Sequence, residues 1–176
     1  MMNSINKISK LIIFMTIILS HQTSAGASLW WTEQMISLRF NVNNISHQQL
    51  YKLLPAIDDH SILLFDVRRP EEYQMSRIRG SIQIAPDMSA QDFISQYGNA
   101  LHNNTLIFYC SVGYRSSEFI QRINKQADQK SVKTMYNLTG GIFRWYNEKH
   151  PVINNDGETN ALHPSDESWA DLIENR

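Results

Sequence analysis

Apolar residues in this chain come as short unbroken runs separated by stretches spaced for helices. The run Ile62-Leu63-Leu64-Phe65 has no polar break, as in a strand buried on both faces of a parallel sheet. Residues 105–109 and 132–138 read as two further strands, and a short one within 78–84 follows a turn at Gly80 and closes at Pro86. Between them lie helical spacings: Leu50, Leu53 and Leu54 behind a capping Ser46, with Pro55 as the stop; Phe93, Ile94 and Tyr97 within 87–101; Phe119, Ile120 and Ile123 within 116–127. A short helix is expected at Pro70, with Glu71 and Glu72 near its positive end, and another over 142–149, stopped by Pro151. Earlier, Leu38-Arg39-Phe40-Asn41-Val42 alternates like a strand, and Trp30 and Trp31 read as packing anchors for a lead-in segment. Strands alternating with helices predict an α/β domain on a mostly parallel sheet, with helices on both faces.

The two ends follow a different pattern. Residues 1–27 hold Lys7 and Lys10, an apolar run over 11–19 broken only by Thr16, and the small residues Ala25-Gly26-Ala27. That order is the one of a secretory signal peptide, which predicts an exported, periplasmic or secreted protein with no stable membrane insertion after cleavage. The rival reading is an uncleaved N-terminal tether, for which the apolar run is short. The expected organisation is then a signal over 1–27, a lead-in over 28–43, a domain over 44–151 and a tail over 152–176. In the tail, a turn at 154–157 precedes Trp169, Leu172 and Ile173, which could form a short docking helix. The net charge of −1 falls to −3 once the first 27 residues are removed, which gives no reason to expect nucleic acid or anionic lipid as a partner.

Composition matters most in its single cysteine. Cys110 cannot be a disulfide staple within the chain, so it is either an inert core residue or a working thiol. Its setting favours the second. The strand over 105–109 ends at Cys110, and Ser111-Val112-Gly113-Tyr114-Arg115-Ser116-Ser117 leads into a helix that either serine could cap. Gly113 gives the backbone freedom of a tight loop. Loop N–H groups and the helix dipole converge on the loop centre, where a thiol loses its proton more readily than a free one and the thiolate is the nucleophile. His47, His60, His102, His150 and His163 have no metal-ligand spacing. Asn44, Asn103 and Asn137 open Asn-x-Ser/Thr sequences, relevant only where a host glycosylates exported proteins.

Four stretches together resemble the rhodanese family of sulfurtransferases, in the order that family shows them. They are Asp66-Val67-Arg68 with Pro70-Glu71-Glu72-Tyr73; Ile78-Arg79-Gly80-Ser81-Ile82; the Cys110 to Ser116 loop; and Leu138-Thr139-Gly140-Gly141 with Ile142-Phe143-Arg144-Trp145. The resemblance spans about 45–151, and its second motif departs from the family pattern at Arg77 and Arg79, where histidine and proline are usual. It implies a rhodanese-like fold and a thiosulfate sulfurtransferase working through a Cys110 persulfide, with no cofactor and no metal. The donor would be a small molecule such as thiosulfate, and the acceptor cyanide or a thiol, including a protein thiol. In that scheme the backbone N–H groups of Ser111, Val112, Gly113, Tyr114, Arg115 and Ser116 hold the anionic sulfur. Arg115 either adds a permanent positive charge or forms a structural ion pair with Glu118 or Asp66. Asp66 and Arg68 brace the loop. The alternatives are a persulfide carrier or redox thiol serving protein partners, a non-catalytic rhodanese-like binding module, and a phosphatase of the related cysteine-loop type. The last has five residues between cysteine and arginine, and this chain has four.

Overall fold

A computed structural model describes residues 24–58, 60–127 and 134–174. Five parallel strands form the central sheet: β1 (Asn44–Ile45), β2 (Ile62–Asp66), β3 (Ser81–Gln83), β4 (Thr105–Tyr109) and β5 (Met135–Leu138), in the order β1-β5-β4-β2-β3. The helices are α1 (Ser24–Arg39), α2 (His47–Asp58), α3 (Pro70–Met75), α4 (Ala90–Asn103), α5 (Tyr114–Gln126) and α6 (Gly141–Asn147). A small antiparallel pair, β6 (Val152–Ile153) and β7 (Glu158–Thr159), precedes a 3-10 helix over Glu167–Leu172. The α/β architecture expected from the sequence is the one observed.

Successive residues of a strand face opposite sides, so an unbroken apolar run fills two cores. In β4, Leu106 and Phe108 join one core with Phe65, Phe93 and Phe119, against α4 and α5. Ile107 and Tyr109 join the other with Leu50, Phe143 and Trp145, against α1, α2 and α6. From β2 the chain moves outward to β3, then returns through α4 to β4 on the other side of β2. Ligand crevices of open parallel sheets form at the carboxyl ends of strands where connections reverse direction in this way. Here that point is the ends of β2 and β4, where Asp66 is in register with Tyr109 and Val67 N–H donates to the Tyr109 carbonyl at 2.8 Å.

Four local expectations are corrected. The alternation over 38–42 is no strand: α1 runs to Arg39, because Leu29, Ile36 and Phe40 share one helical stripe and are all buried. Trp30 and Trp31 are not anchors but stand out from α1, Trp31 being 64% exposed. Pro55 does not stop α2, which continues to Asp58; the carbonyl that proline leaves without a donor is that of half-exposed Tyr51, within reach of water. Neither Ser116 nor Ser117 caps α5, since left-handed Gly113 is its cap and both serines are buried inside it. The Ser46 cap is observed, with its hydroxyl accepting from Gln49 N–H and Gln49 Oε1 accepting from Ser46 N–H. The signal over 1–27 lies almost wholly outside the described residues, although α1 begins at Ser24, just before the expected cleavage site. No helix among the described residues is long and apolar enough to cross a membrane.

Candidate active site

Cys110 sits directly after β4 and is buried to all but 1%. The loop turns back through Gly113 at φ +99°, which brings the Gly113 N–H onto Cys110 Sγ at 3.2 Å. A side chain at 113 would crowd Asn137 and the Leu138 carbonyl, so glycine is required by space as well as by torsion. From Tyr114 the chain enters α5, whose first-turn N–H groups have no acceptor within the helix. Ser116 Oγ lies 3.6 Å from Sγ and donates to Asn137 Oδ1 at 2.7 Å. A hydroxyl has one proton and the shorter contact holds it, so the Gly113 amide is the principal donor to sulfur. Asn137 in turn donates to Asn44 Oδ1 at 2.9 Å, extending the network from the loop through β5 to β1. Asn137 is therefore a buried structural residue, not an accessible glycosylation site.

The far side of the loop is held from α6. Ile142 N–H donates to the Cys110 carbonyl at 2.9 Å and Phe143 N–H to the Ser111 carbonyl at 3.0 Å. Both loop carbonyls are thereby satisfied and fixed by the start of α6.

Arg115 pairs with neither Glu118 nor Asp66. Its two terminal nitrogens donate to both oxygens of Glu72, at 2.8 and 2.9 Å, a bidentate geometry that fixes the guanidinium plane. Glu72 has no exposed side-chain surface and also accepts from Ser111 Oγ at 3.1 Å, from Arg69 N–H at 2.9 Å and from Arg69 Nε at 3.1 Å. Burial alone would raise its carboxyl pKa, but the hydrogen bonds from Arg115 and Arg69 outweigh that and hold it well below the ordinary carboxylate range. Burial likewise works against charge on Arg115, and the Glu72 hydrogen bond and the nearby Cys110 sulfur reverse it, so the guanidinium stays charged. Glu72 is a residue at the site that the sequence pattern does not single out. Its sequence position suits a helix-dipole partner, and nothing local to α3 marks its contact with a loop 43 residues away.

Asp66 and Arg68 form a wholly buried pair, with Arg68 Nη2 on Asp66 Oδ2 at 2.7 Å and Nε on Oδ1 at 2.9 Å. Arg68 Nη2 also donates to the Ser76 carbonyl at 2.6 Å, tying the end of β2 to the end of α3. Neither residue lines the cleft over Cys110. Val112 turns its side chain into the core, so what it brings to the site is backbone.

Above Cys110 lies a cleft of about 380 Å³, lined by Arg69, Tyr114, Arg115, Pro86 and, from the tail, Ser165, Asp166 and Trp169. Ser165 is in the left-handed region at φ +69°; its carbonyl accepts from Arg69 Nη2 at 2.7 Å and its hydroxyl from Arg115 Nη2 at 3.3 Å. The tail thus forms one wall of the site. The site brings together a buried sulfur, the Gly113 amide that donates to it and two guanidinium groups held by Glu72. Among the described residues there is no cluster of side chains that could hold a metal ion.

A family model described as a rhodanese-like domain matches residues 46–148, more than half of the chain. The "Putative thiosulfate sulfurtransferase, mitochondrial" of Schizosaccharomyces pombe is 27% identical over 115 residues, covering 60% of this chain and 78% of that protein. Among solved structures, a thiosulfate sulfurtransferase from Pseudomonas aeruginosa superposes with a TM-score of 0.56 at 17% identity, over 81% of this chain and 26% of that one. A Rhodopseudomonas palustris protein described as a possible tyrosine phosphatase gives 0.51 at 18% identity, over 70% of this chain and 92% of that one. Likeness at such identities establishes the fold alone, and the matched family domain, with its cysteine loop at the ends of β2 and β4, gives the chain its family: it belongs to the rhodanese-like domains.

Proposed function

We propose that the protein is a sulfurtransferase that carries a sulfane sulfur on Cys110, with thiosulfate as a competent donor. The observation that carries this reading is the Cys110 loop itself, with a glycine amide 3.2 Å from the sulfur and a Glu72-anchored Arg115 beside it. The Cys110 thiolate attacks the outer sulfur of thiosulfate; the S–S bond breaks, sulfite leaves with the electron pair, and a Cys110 persulfide anion forms. Cyanide or a thiolate then takes the terminal sulfur, giving thiocyanate or a new persulfide, and the thiolate is restored. Each half is a displacement between anions, so the site must supply donors and positive charge; no general base is needed. The four-residue spacing between Cys110 and Arg115 supports sulfur over phosphate as the group held.

Intact-mass measurement tests the reading. Thiosulfate should add one sulfur atom to the protein and cyanide should remove it, while Cys110→Ser should show neither change and keep its fold. Sulfur transfer by the serine variant at the original rate would overturn the assignment, as would efficient hydrolysis of aryl phosphates by the unmodified protein. The signal pattern of the first 27 residues supports export, with the mature chain starting near Ser28. Such cleavage would trim only the first turn of α1, leaving the buried Leu29, Ile36 and Phe40 in place. N-terminal sequencing of the exported protein checks it, and an intact Met1 in a membrane fraction would contradict it.

A further inference from the structure

α1 carries large apolar residues on two faces. One face, with Leu29 and Ile36, packs into the domain. On the other stand Trp31, Met35 and Leu38, spaced i, i+4 and i+7, so that they form one ridge along the helix. Trp31 and Met35 are each 64% exposed and Leu38 is 83% exposed. Trp30 widens the ridge, its ring edge-on to Trp31 with centres 4.6 Å apart. Beside the ridge, between α1 and the 3-10 helix, lies a groove of about 470 Å³ to which Ile36, Val112, Tyr114 and Trp169 contribute.

Size and charge together identify what covers this face. An aromatic side chain offers about 150–250 Å², so the exposed parts of Trp30, Trp31, Met35, Leu38 and Tyr114 come to on the order of 600 Å². Contiguous apolar patches of that size mark interaction surfaces. A standard interface takes about 800 Å² from each partner, so the patch is large enough to be the apolar centre of one. Exposed Gln34, Ser37 and Arg39 then supply its polar rim. A lipid surface fits poorly, because helices that lie on membranes flank their apolar stripe with several Lys or Arg. In α1 only Glu33 and Arg39 are charged, and Arg144 holds Glu33 at 2.8 and 3.0 Å. A second copy fits well. An antiparallel two-fold axis through Met35, the middle of the ridge, sets residue 31 of each copy against residue 39 of the other. Arg39 then meets Trp31 rather than another arginine, and a guanidinium over an indole face is attractive. Ridge and groove also lie side by side on one surface, which gives the self-complementarity that an isologous contact requires.

We infer that α1 is a dimerisation helix: two copies of the chain associate antiparallel about Met35, the ridge of each closing the groove of the other. Tyr114 and Trp169 line both the groove and the cleft over Cys110, so each copy braces two rings of the other's cleft.

Sedimentation velocity on the purified protein tests this. The dimer should predominate at about 100 μM and dissociate below about 1 μM, as suits an interface of modest area. Met35→Lys puts two like charges at the axis and should weaken association at least tenfold. Leu38→Glu should do the same from the end of the ridge, and both variants should keep their fold, since neither side chain is buried. Mixing Met35→Lys with Met35→Glu should restore a dimer that neither forms alone, because the position faces itself across the axis. Met75→Lys, at an exposed methionine of α3, should associate as the unmodified protein does. A protein that is monomeric at about 100 μM overturns the inference, as does an equal loss in Met35→Lys and Met75→Lys. A mixture that stays monomeric overturns the antiparallel arrangement. A monomer that binds phosphatidylcholine vesicles, and loses that binding in Leu38→Glu, overturns the second copy and assigns the face to lipid.

Discussion

Glu72 is a charge with no exposed surface, shared by two arginines and a serine. Removing one partner of a buried ion pair is far more damaging than the pair is stabilising, because the other charge is left without compensation. Glu72→Gln should therefore lower stability at pH 7 by about 3 kcal/mol, the low end for a broken buried pair, since both guanidinium groups keep some contact with water. The same change should reduce sulfur loading, as Arg115 loses the bidentate contact that fixes its plane. The pH dependence follows from the depressed carboxyl. As pH falls, the unfolded chain takes up this proton first, near the ordinary value of 4.5, so the stabilisation is complete above about pH 5.5 and is lost progressively below 4.5. Urea unfolding at pH 7 and pH 3.5 should show the gap between wild type and Glu72→Gln narrowing at the lower pH; a constant gap would place the effect elsewhere. Arg115→Ala should slow thiosulfate turnover without abolishing it, because the Gly113 amide remains on the sulfur. At this scale Cys110 and Arg115 were legible from residue type and spacing. The Glu72 contact was not, because it depends on how α3 folds back over the loop.

At the scale of elements, the cysteine loop is shaped from both ends, by Gly113 at the start of α5 and by Gly140-Gly141 at the start of α6. Gly141 has φ +54°, and a Cβ there would strike the Cys110 carbonyl and lie 2.6 Å from the Ser111 carbonyl. Those are the two carbonyls that α6 holds by its first N–H groups. Gly141→Ala should thus displace the loop backbone, with persulfide formation falling by at least tenfold and thermal stability falling with it. Gly98→Ala is the contrasting case, since a Cβ there meets nothing within 4 Å in the middle of α4. It should raise stability by about 0.5–1 kcal/mol and leave turnover alone. Thermal melts and thiosulfate kinetics on the two variants check both outcomes. The strands and the Thr139-Gly140-Gly141 turn were readable because apolar runs and glycine punctuation are local signals. α1 was misread because both of its faces carry large apolar residues, so no single stripe stood out and the short alternation over 38–42 looked like a strand. Burial, decided only by what lies across the interface, separates Leu29 and Ile36 from the 83%-exposed Leu38.

For the whole molecule, the family unit ends near residue 148, yet the mouth of the site is finished by chain beyond it. The tail crosses back after the β6–β7 pair, and its 3-10 helix docks beside α1 with Leu172 buried. Trp169, Leu172 and Ile173 suggest that a short helix could dock there, whereas nothing in residues 163–166 marks them as a wall of the cleft. Removing residues 161–176 should separate what the tail does from what the loop does. Arg69 and Arg115 would lose the carbonyl and hydroxyl of Ser165, and the cleft would lose Trp169, so thiosulfate should bind less well. The sulfur would keep its Gly113 amide and the loop its support from α6, so the chemical step should change little once donor is bound. Buried Asn147 would lose the Leu172 carbonyl and the Glu174 N–H that it pairs with, at a cost of about 1–3 kcal/mol. The expected result is a folded protein of lower melting temperature, with KM for thiosulfate raised about tenfold and kcat within threefold of the full chain. A truncated protein that stays folded with KM unchanged would show that the tail takes no part in holding the donor.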